Sequence, residues 1–227
     1  FDELPQLHEA VTDAFCQLAK SSIESNGIFR VALSGGSTPR RIYELISRRE
    51  LDWSRIHWFW GDERNVPLTH PESNARMVRE ALFDRIAIPS ANVHEVPVNI
   101  ERPAEAAVEY EQILREHFSD HTFPIWDLAL QGMGDDAHTA SLFPETKAVL
   151  ENERWFVENW VEKLDSYRYT LSAPAINSAH QIWFLVSGEG KQKALKTVLS
   201  GPENHSLYPA QMIQAPRWYV TQDAVGK

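Results

Sequence analysis

The chain has 227 residues, 43% of them hydrophobic and 24% charged, which is enough apolar material for one large core and argues against general disorder. Its net charge of −10 argues against a nucleic-acid or anionic-membrane partner. No apolar run reaches the ~18 residues of a membrane helix, and the one cysteine, Cys16, has no partner for an internal disulfide. We therefore expect one cytoplasmic domain over residues 1–227, as a monomer or weak homo-oligomer, with two small domains as the alternative.

Helical and strand-like segments alternate along the chain. Helical spacing over Leu7–Ile23 ends at Asn26-Gly27, a typical helix terminus. Further helices are predicted over Pro39–Arg49, Ser73–Ile86, Pro103–Phe118 and Lys191–Leu199. Strands are predicted over Phe29–Leu33, Arg55–Trp60, Asn92–Val96, Trp126–Leu130, Trp155–Val161, Arg168–Leu171, Gln181–Val186 and Arg217–Thr221, with Trp58, Trp60, Trp126 and Trp183 in the core.

The predicted strands are apolar on both faces and are separated by helices. This pattern favours an α/β fold with a mainly parallel sheet and helices on both faces. In such sheets, ligands bind at the carboxyl ends of the strands. Four polar or glycine-rich segments follow predicted strands, at Ser34–Thr38, Gly61–Arg64, Gly132–His138 and Ser187–Lys191. Because these strand ends share one edge of the sheet, the sequence predicts a ligand site there.

The first of these segments joins a strand to a helix and favours an anion. Glycines allow close backbone approach, hydroxyls can donate to an oxygen, and a helix start offers free N–H groups. The candidate binding residues are Ser34, Gly35, Gly36, Ser37 and Thr38. An ordinary strand-to-helix turn with a Ser/Thr cap is an equally supported alternative.

Three basic residues near the same edge are candidates for holding a phosphate. Arg64 can pair bidentately with a phosphate or carboxylate, and its acidic neighbours can orient it or face substrate hydroxyls. Lys191 lies near a helix start, and Arg168 joins the group if its strand packs beside the loop. Taken singly, a solvated turn explains Arg64 and a surface lysine explains Lys191.

The segment GMGDDAHTASLFP (132–144) combines glycines, acids and a histidine. Gly132 and Gly134 allow backbone N–H groups to face an oxygen on which negative charge develops. His138 is of the residue type suited to general base work near neutral pH, and Asp136 can orient its imidazole or bind the substrate. The alternative is a turn with a capping Asp and a structural histidine, but a position after a strand and behind two glycines favours catalysis.

Several common site types do not fit the sequence. No histidine lies three to five residues from His138 and no CxxC is present, so no metal site is expected. The remaining histidines of the 9 are interpreted as surface or core residues. Neither GxGxxG nor GxSxG occurs, which argues against a nicotinamide cofactor and against a serine hydrolase of that type.

Seven segments, taken in order, resemble the 6-phosphogluconolactonase family: SGGSTPR (34–40), GDERNVP (61–67), SNARM (73–77), IPSANVH (88–94), GMGDDAHTASLFP (132–144), RYTLSAP (168–174) and SGEGK (187–191). The resemblance implies the Rossmann-like fold shared with glucosamine-6-phosphate deaminases and ribose-5-phosphate isomerases. It also implies hydrolysis of 6-phospho-D-glucono-1,5-lactone to 6-phospho-D-gluconate in the oxidative pentose phosphate pathway, with no metal or organic cofactor.

The resemblance also implies roles for single residues. The catalytic histidine of the family falls on His138, and its acidic loop partner falls on Asp136. The phosphate-binding groups fall on Arg64, Arg168, Lys191 and the backbone of Gly35, Gly36 and Ser37.

One residue departs from the family pattern. Ala137 stands where the family usually has glycine, and an alanine held at positive φ there costs about 1 kcal/mol. A sugar-phosphate sensor without turnover is one alternative, which Ala137 alone suggests. A deaminase or isomerase of the same fold is another, but it predicts DEY in place of DER and an AFNEP-like run in place of TASLFP. A purely structural interaction protein leaves the four strand-end segments unexplained.

Overall fold

The computed structural model describes residues 1–119 and 121–226. The strands are β1 (Phe29–Leu33), β2 (Ile56–Trp60), β3 (Asp62–Arg64), β4 (Val93–His94), β5 (Leu128–Gln131), β6 (Phe156–Val161), β7 (Ser166–Leu171), β8 (Ile182–Val186) and β9 (Arg217–Val220). The helices are α1 (Leu4–Asn26), α2 (Ser37–Ile46), α3 (Asn74–Ala81), α4 (Pro103–His117), α5 (Ala173–Asn177), α6 (Gln192–Ser200) and α7 (Gln222–Val225). In this part of the chain, no helix combines the length and the apolar character needed to cross a membrane.

Six of the strands form a parallel sheet in the order β4-β2-β1-β5-β8-β9. The chain builds it from β1 outward through β2 to β4, then returns to the other side of β1 and continues through β5, β8 and β9. The direction of building therefore reverses between β1 and β5, which is where such sheets open a crevice for a ligand. The predicted α/β architecture with a mainly parallel sheet is confirmed.

Strands β3, β7 and β6 form a separate antiparallel sheet. The two C-terminal members are the strands predicted over Trp155–Val161 and Arg168–Leu171, and they pair with each other from Phe156↔Leu171 to Val161↔Ser166. Strand β3 was not expected, since the polar segment Gly61–Arg64 was interpreted as a loop. Its residues extend as a strand because they pair with Arg168–Thr170 of β7, a partner about 100 residues away in sequence.

Two predicted elements are shorter than expected. Ser73 is the N-cap of α3, since its hydroxyl accepts from the Arg76 N–H at 3.2 Å. The helix ends at Ala81 rather than Ile86 because Leu82 leaves helical geometry, with φ −129° and ψ −61°. At the edge of the sheet, the strand predicted over Asn92–Val96 is reduced to the two residues of β4. The short helices α5 and α7 have no counterpart in the prediction.

The core is built around large aromatic side chains. Trp58, Trp60, Trp126 and Trp183 are at most 1% exposed, which confirms their predicted burial. Trp58 stacks on Phe15 of α1 with ring centroids 6.1 Å apart, so it fixes that helix against the sheet. Aromatic side chains bury about 150–250 Å² each and therefore dominate the packing energy between the sheet and its helices.

A buried tyrosine from α2 holds the end of β1. The Tyr43 hydroxyl donates to the Ser34 carbonyl at 2.8 Å and accepts from the Ser34 N–H at 3.1 Å. Burial raises the pKa of Tyr43, so its hydroxyl stays protonated. One side chain thus satisfies both backbone groups of Ser34 and fixes the start of the first strand-end loop.

Replacing Tyr43 with Phe should lower the free energy of unfolding by about 1–3 kcal/mol, because it leaves the buried N–H and C=O of Ser34 without a partner. Urea denaturation measures this as a lower midpoint at unchanged slope. Tyr167→Phe is the matched control, since that hydroxyl has no hydrogen-bond partner in the described part of the chain and its ring packs on Trp160. Equal losses in both variants would contradict the assigned role of Tyr43.

Candidate active site

The polar segments predicted at strand ends lie side by side. They follow β2, β1, β5 and β8, which are consecutive in the parallel sheet. Between these ends and the antiparallel sheet is a cavity of about 430 Å³, a volume suited to a small ligand. Its lining residues are Ser34, Gly35, Gly36, Asp62, Arg64, Gly132, Met133, Gly134, Asp135, His138, Ala140, Ser141, Phe143, Lys163, Leu164, Arg168 and Lys191.

His138 enters the cavity from the loop after β5, and its ring is fixed on two sides. Its Nδ1 lies 2.5 Å from Oδ1 of Asp136, and its backbone N–H donates to the same oxygen at 3.1 Å. The face of the ring stacks on Phe143 with centroids 4.0 Å apart. Because an ionised carboxylate only accepts, Nδ1 carries the proton and Nε2 is left as the basic nitrogen.

Asp136 lies beside His138 and also binds a lysine. Its other oxygen accepts from the Lys163 ammonium, which also lies 4.9 Å from the centroid of the Phe143 ring. Burial alone raises the pKa of Asp136, but the hydrogen bonds from His138 and Lys163 outweigh burial and hold that pKa well below its usual value. Asp136 therefore remains a carboxylate at neutral pH and keeps His138 in one tautomer.

Gly134 makes room for this pair. A Cβ built on Gly134 would lie 2.0 Å from Nδ1 of His138 and 2.6 Å from Oδ1 of Asp136, so no other residue fits without moving the ring. The loop also closes on itself, since the Gly134 N–H donates to the His138 carbonyl at 2.9 Å. The glycine thus serves the geometry of the imidazole directly.

Two arginines face each other at the antiparallel sheet. Arg64 of β3 and Arg168 of β7 are directly opposite in register, and both line the cavity. Burial, followed by the nearby charge of Arg64, lowers the pKa of Arg168. Among the described residues, neither guanidinium forms a salt bridge with a carboxylate, and Lys191 across the cavity forms none either. Because like charges directly opposite destabilise a strand pair, this arrangement favours a bound anion.

The acidic neighbours of Arg64 have different roles. Glu63 is buried and accepts from the backbone N–H groups of Asn74 at 2.7 Å and Ala75 at 2.8 Å, so it holds the start of α3 rather than orienting a guanidinium. Burial raises the pKa of Glu63. Asp62 does reach the cavity, where its carboxylate accepts from the Ser141 hydroxyl at 2.9 Å.

Gly35 and Ser34 show how closely the first loop fits the site. A Cβ on Gly35 would lie 1.9 Å from Oδ1 of Asn74, so the close backbone approach requires glycine. Ser34 lines the cavity, and its hydroxyl is buried without a hydrogen-bond partner among the described residues. A ligand oxygen would supply that missing partner.

Most residues singled out from the sequence converge on this cavity. Asp136 lies behind His138, while Ser37 and Thr38 lie outside the lining. Ser37 is exposed at the start of α2, and the Thr38 hydroxyl is 2.9 Å from that of Ser187. The residues that line the cavity are Ser34, Gly35, Gly36, Arg64, Gly132, Gly134, His138, Arg168 and Lys191.

Lys163 is the main functional residue that the sequence analysis missed. It lies in the short 3-10 turn Glu162–Leu164 that joins β6 to β7. Both flanking strands were predicted, so the turn between them could have been predicted from the sequence. The contact of Lys163 with Asp136 could not have been predicted, because nothing in the local pattern shows which loop the hairpin tip contacts.

Comparison with known proteins places this site in a family. A model for glucosamine-6-phosphate isomerases and 6-phosphogluconolactonase matches residues 2–221. A 6-phosphogluconolactonase from Nostoc sp. is 44% identical over 196 residues, covering 86% of this chain and 81% of that protein. The chain belongs to the 6-phosphogluconolactonase family.

Further members of the 6-phosphogluconolactonase family agree in sequence and in fold. The protein of that name from Synechocystis sp. is 41% identical over 208 residues, which cover 89% of this chain and 86% of that protein. A crystal structure of 6-phosphogluconolactonase from Thermotoga maritima matches with a TM-score of 0.83 at 31% identity, covering 98% of this chain and 97% of that one.

Ala137 adopts a backbone conformation that a glycine would adopt freely. Its φ is 64°, in the left-handed region. The residue is 1% exposed, and its carbonyl accepts from the Ala210 N–H at 3.0 Å. The loop therefore keeps its shape in spite of the methyl group, at a cost of about 1 kcal/mol in backbone strain.

Ala137→Gly should leave the free energy of unfolding within about 1 kcal/mol of the parent, since release of strain offsets the lost buried methyl group. Ala129→Gly is the matched control, because Ala129 is equally buried but lies in β5 without a positive φ. We expect the control to lose about 1 kcal/mol more than Ala137→Gly in urea denaturation. Equal losses would show that Ala137 carries no strain.

Proposed function

We propose that the chain hydrolyses 6-phospho-D-glucono-1,5-lactone to 6-phospho-D-gluconate in the oxidative pentose phosphate pathway, with His138 as the general base. The observation that carries the proposal is an oriented imidazole in the same cavity as Arg64, Arg168 and Lys191. A neutral ester and a phosphate dianion on one small molecule need this pair of features. The names of the relatives from Nostoc sp. and Synechocystis sp. support the same reaction.

The first step is attack of water on the lactone carbonyl. Nε2 of His138 accepts a proton from the water as its oxygen bonds to the carbonyl carbon. The carboxylate of Asp136 accepts a hydrogen bond from the Nδ1–H group of His138 and stabilises the imidazolium that forms. Lys163 keeps Asp136 in place and ionised, so it acts as a positioning residue.

The second step is opening of the ring. Negative charge on the former carbonyl oxygen is stabilised by other backbone N–H groups of the loop after β5, since the Gly134 N–H is bonded to the His138 carbonyl, with help from a nearby cation. As the tetrahedral intermediate collapses, the bond to the ring oxygen breaks. The imidazolium of His138 returns its proton to that oxygen, which leaves a hydroxyl and a carboxylic acid that ionises.

The phosphate stays away from the reacting carbonyl and fixes the substrate. Arg64 and Arg168 can each donate charge-assisted hydrogen bonds to it, and Lys191 contributes a point charge. The Ser34 hydroxyl and the glycine backbone of the same loop complete the anion site. The overall charge of −10 repels a dianion, so local cations must supply its binding energy.

Each proposed step uses only side chains, backbone N–H groups and water. We accordingly propose that catalysis needs no metal or organic cofactor, and that the chain acts as one domain, in the cytoplasm, on a free phosphosugar lactone.

Replacing His138 with Ala should lower kcat by about 10²–10⁴-fold, because loss of a positioned general base removes that much rate. Formation of 6-phosphogluconate is followed in a coupled assay and corrected for spontaneous lactone hydrolysis. His205→Ala is the control, since that imidazole is exposed and pairs with Glu203. A kcat near that of the parent, above the spontaneous background, would remove His138 from the mechanism.

Arg64→Ala and Arg168→Ala should each raise KM about 10–100-fold with a smaller effect on kcat, since a charge-assisted hydrogen bond contributes about 1.5–3 kcal/mol. Arg102→Ala changes the net charge equally but alters only an exposed pair with Glu105, and it should leave KM unchanged. Steady-state kinetics on the lactone measure KM and kcat for each variant. If Arg102→Ala raises KM as much, the effect comes from the overall field and no phosphate site is present at the two arginines.

A deaminase or isomerase of the same family is distinguished by its product. Incubation with glucosamine 6-phosphate should release no ammonia. Ammonia release at a rate comparable to lactone hydrolysis would overturn the choice of reaction while leaving the site in place.

A further inference from the structure

Three histidines meet at a place that lies outside the active-site cavity. They are His57 in β2, His94 at the end of β4 and His117 at the end of α4. One ring nitrogen of each lies within 4.8 Å of the other two, and all three side chains are half-buried. Among the described residues, this is the one group of three His, Cys, Asp or Glu side chains so arranged. The site residues discussed above do not include any of them.

The distances suit a tetrahedral metal ion. With metal–nitrogen bonds of about 2.0–2.1 Å, two imidazole nitrogens on a tetrahedral ion lie about 3.3–3.4 Å apart. Nδ1 of His57 and Nε2 of His94 are already 3.3 Å apart. His117 is the last residue of α4, so rotation of its side chain can bring its nitrogen closer without moving a strand.

The surrounding residues hold the rings in place. His94 stacks on Phe59 with centroids 4.3 Å apart and planes 7° from parallel. The ring of His117 packs against the same phenylalanine at 5.0 Å and against Phe118 at 4.9 Å. His94 is therefore ordered before any ion arrives, which lowers the entropy cost of binding, whereas His117 has to rotate from its present packing to reach the ion.

The imidazoles are in the form that binds metal. Burial lowers the pKa of His94 to about 4 and that of His117 to about 3, and it also lowers the pKa of His57. All three are neutral at pH 7, and neutral imidazole is the ligand. A set of three nitrogen donors without a carboxylate favours zinc and its neighbours over Mg²⁺ or Ca²⁺.

We propose that His57, His94 and His117 bind one Zn²⁺-like transition-metal ion, with water in the fourth position. The ion would tie the edge strand β4 and the end of α4 to β2. The sequence predicted no metal site, because these three residues are 37 and 23 positions apart along the chain and match no ligand spacing. The fold brings them together.

The positive charge of Arg30 disfavours a metal ion at this site, and this provides a specific test. It is the register partner of His57 on β1, and its Nε donates to Nε2 of His117 at 3.4 Å, the long limit for such a bond. Its positive charge repels a cation, and Asp127 nearby offsets this in part. Removing the charge should therefore strengthen metal binding, whereas loss of a mere structural contact would not.

The test uses untagged full-length protein stripped with a chelator and then dialysed against Zn²⁺. We expect one Zn²⁺ per chain, and visible absorption typical of low-coordinate Co²⁺ when Co²⁺ is used instead. His94→Phe and His117→Phe should abolish the stoichiometric site while keeping an aromatic ring for packing. His205→Ala and His138→Ala should retain it. Arg30→Gln should lower the Kd for Zn²⁺ by at least about 3-fold.

Three results would overturn the proposal: no stoichiometric Zn²⁺ on the parent protein, binding that survives His94→Phe combined with His117→Phe, or loss of binding in His138→Ala. Circular dichroism of each variant shows whether the chain is still folded. If His94→Phe unfolds the chain, the Arg30→Gln comparison still decides, since weaker or unchanged Zn²⁺ binding there would contradict a site beside Arg30. Metal content is the readout, so failure here leaves the lactonase proposal untouched.

Discussion

The hydrogen bond between Asp136 and His138 is the contact around which the rest of the loop is arranged. A carboxylate on Nδ1 determines which nitrogen of the imidazole is basic, and so which edge of the ring can act on a ligand. Gly134 leaves space for the pair, and Ala137 accepts a left-handed backbone so that the two side chains can meet two residues apart. Phe143 limits rotation of the ring. Each of these features is local, and together they hold the imidazole in one orientation.

Charge is distributed unevenly in this molecule. The chain carries a net −10, yet its cavity brings Arg64 and Arg168 opposite each other with Lys191 and Lys163 on the same lining. In the absence of an anion, two facing guanidinium groups weaken the β3–β7 pair. The antiparallel sheet therefore holds positive charge in a place where it is unfavourable for stability, which is typical of residues kept for binding rather than for folding.

Local patterns were sufficient for the parts of the structure that depend on local physics. Apolar runs gave the parallel strands, and the polar segments after them gave the site edge, because strand ends and sheet edges follow from the α/β architecture. Three things depended on pairing between distant segments and could not be predicted: β3 as a strand, the facing of Arg64 and Arg168, and the contact of Lys163 with Asp136. The positive φ of Ala137 could not be predicted either, because alanine rarely adopts this conformation and the local sequence does not determine the backbone angle.

The turn that carries Lys163 belongs to the same small sheet as both arginines. One end of this sheet carries Lys163, which binds the carboxylate of Asp136, and its strands carry the two arginines proposed to bind the phosphate. The sheet therefore couples two events that are chemically separate. A shift of the β6–β7 hairpin relative to the parallel sheet would move Arg168 and the Lys163 contact to Asp136 together. By thermodynamic reciprocity, if the affinity for a ligand depends on the position of this hairpin, the bound ligand stabilises that position in turn.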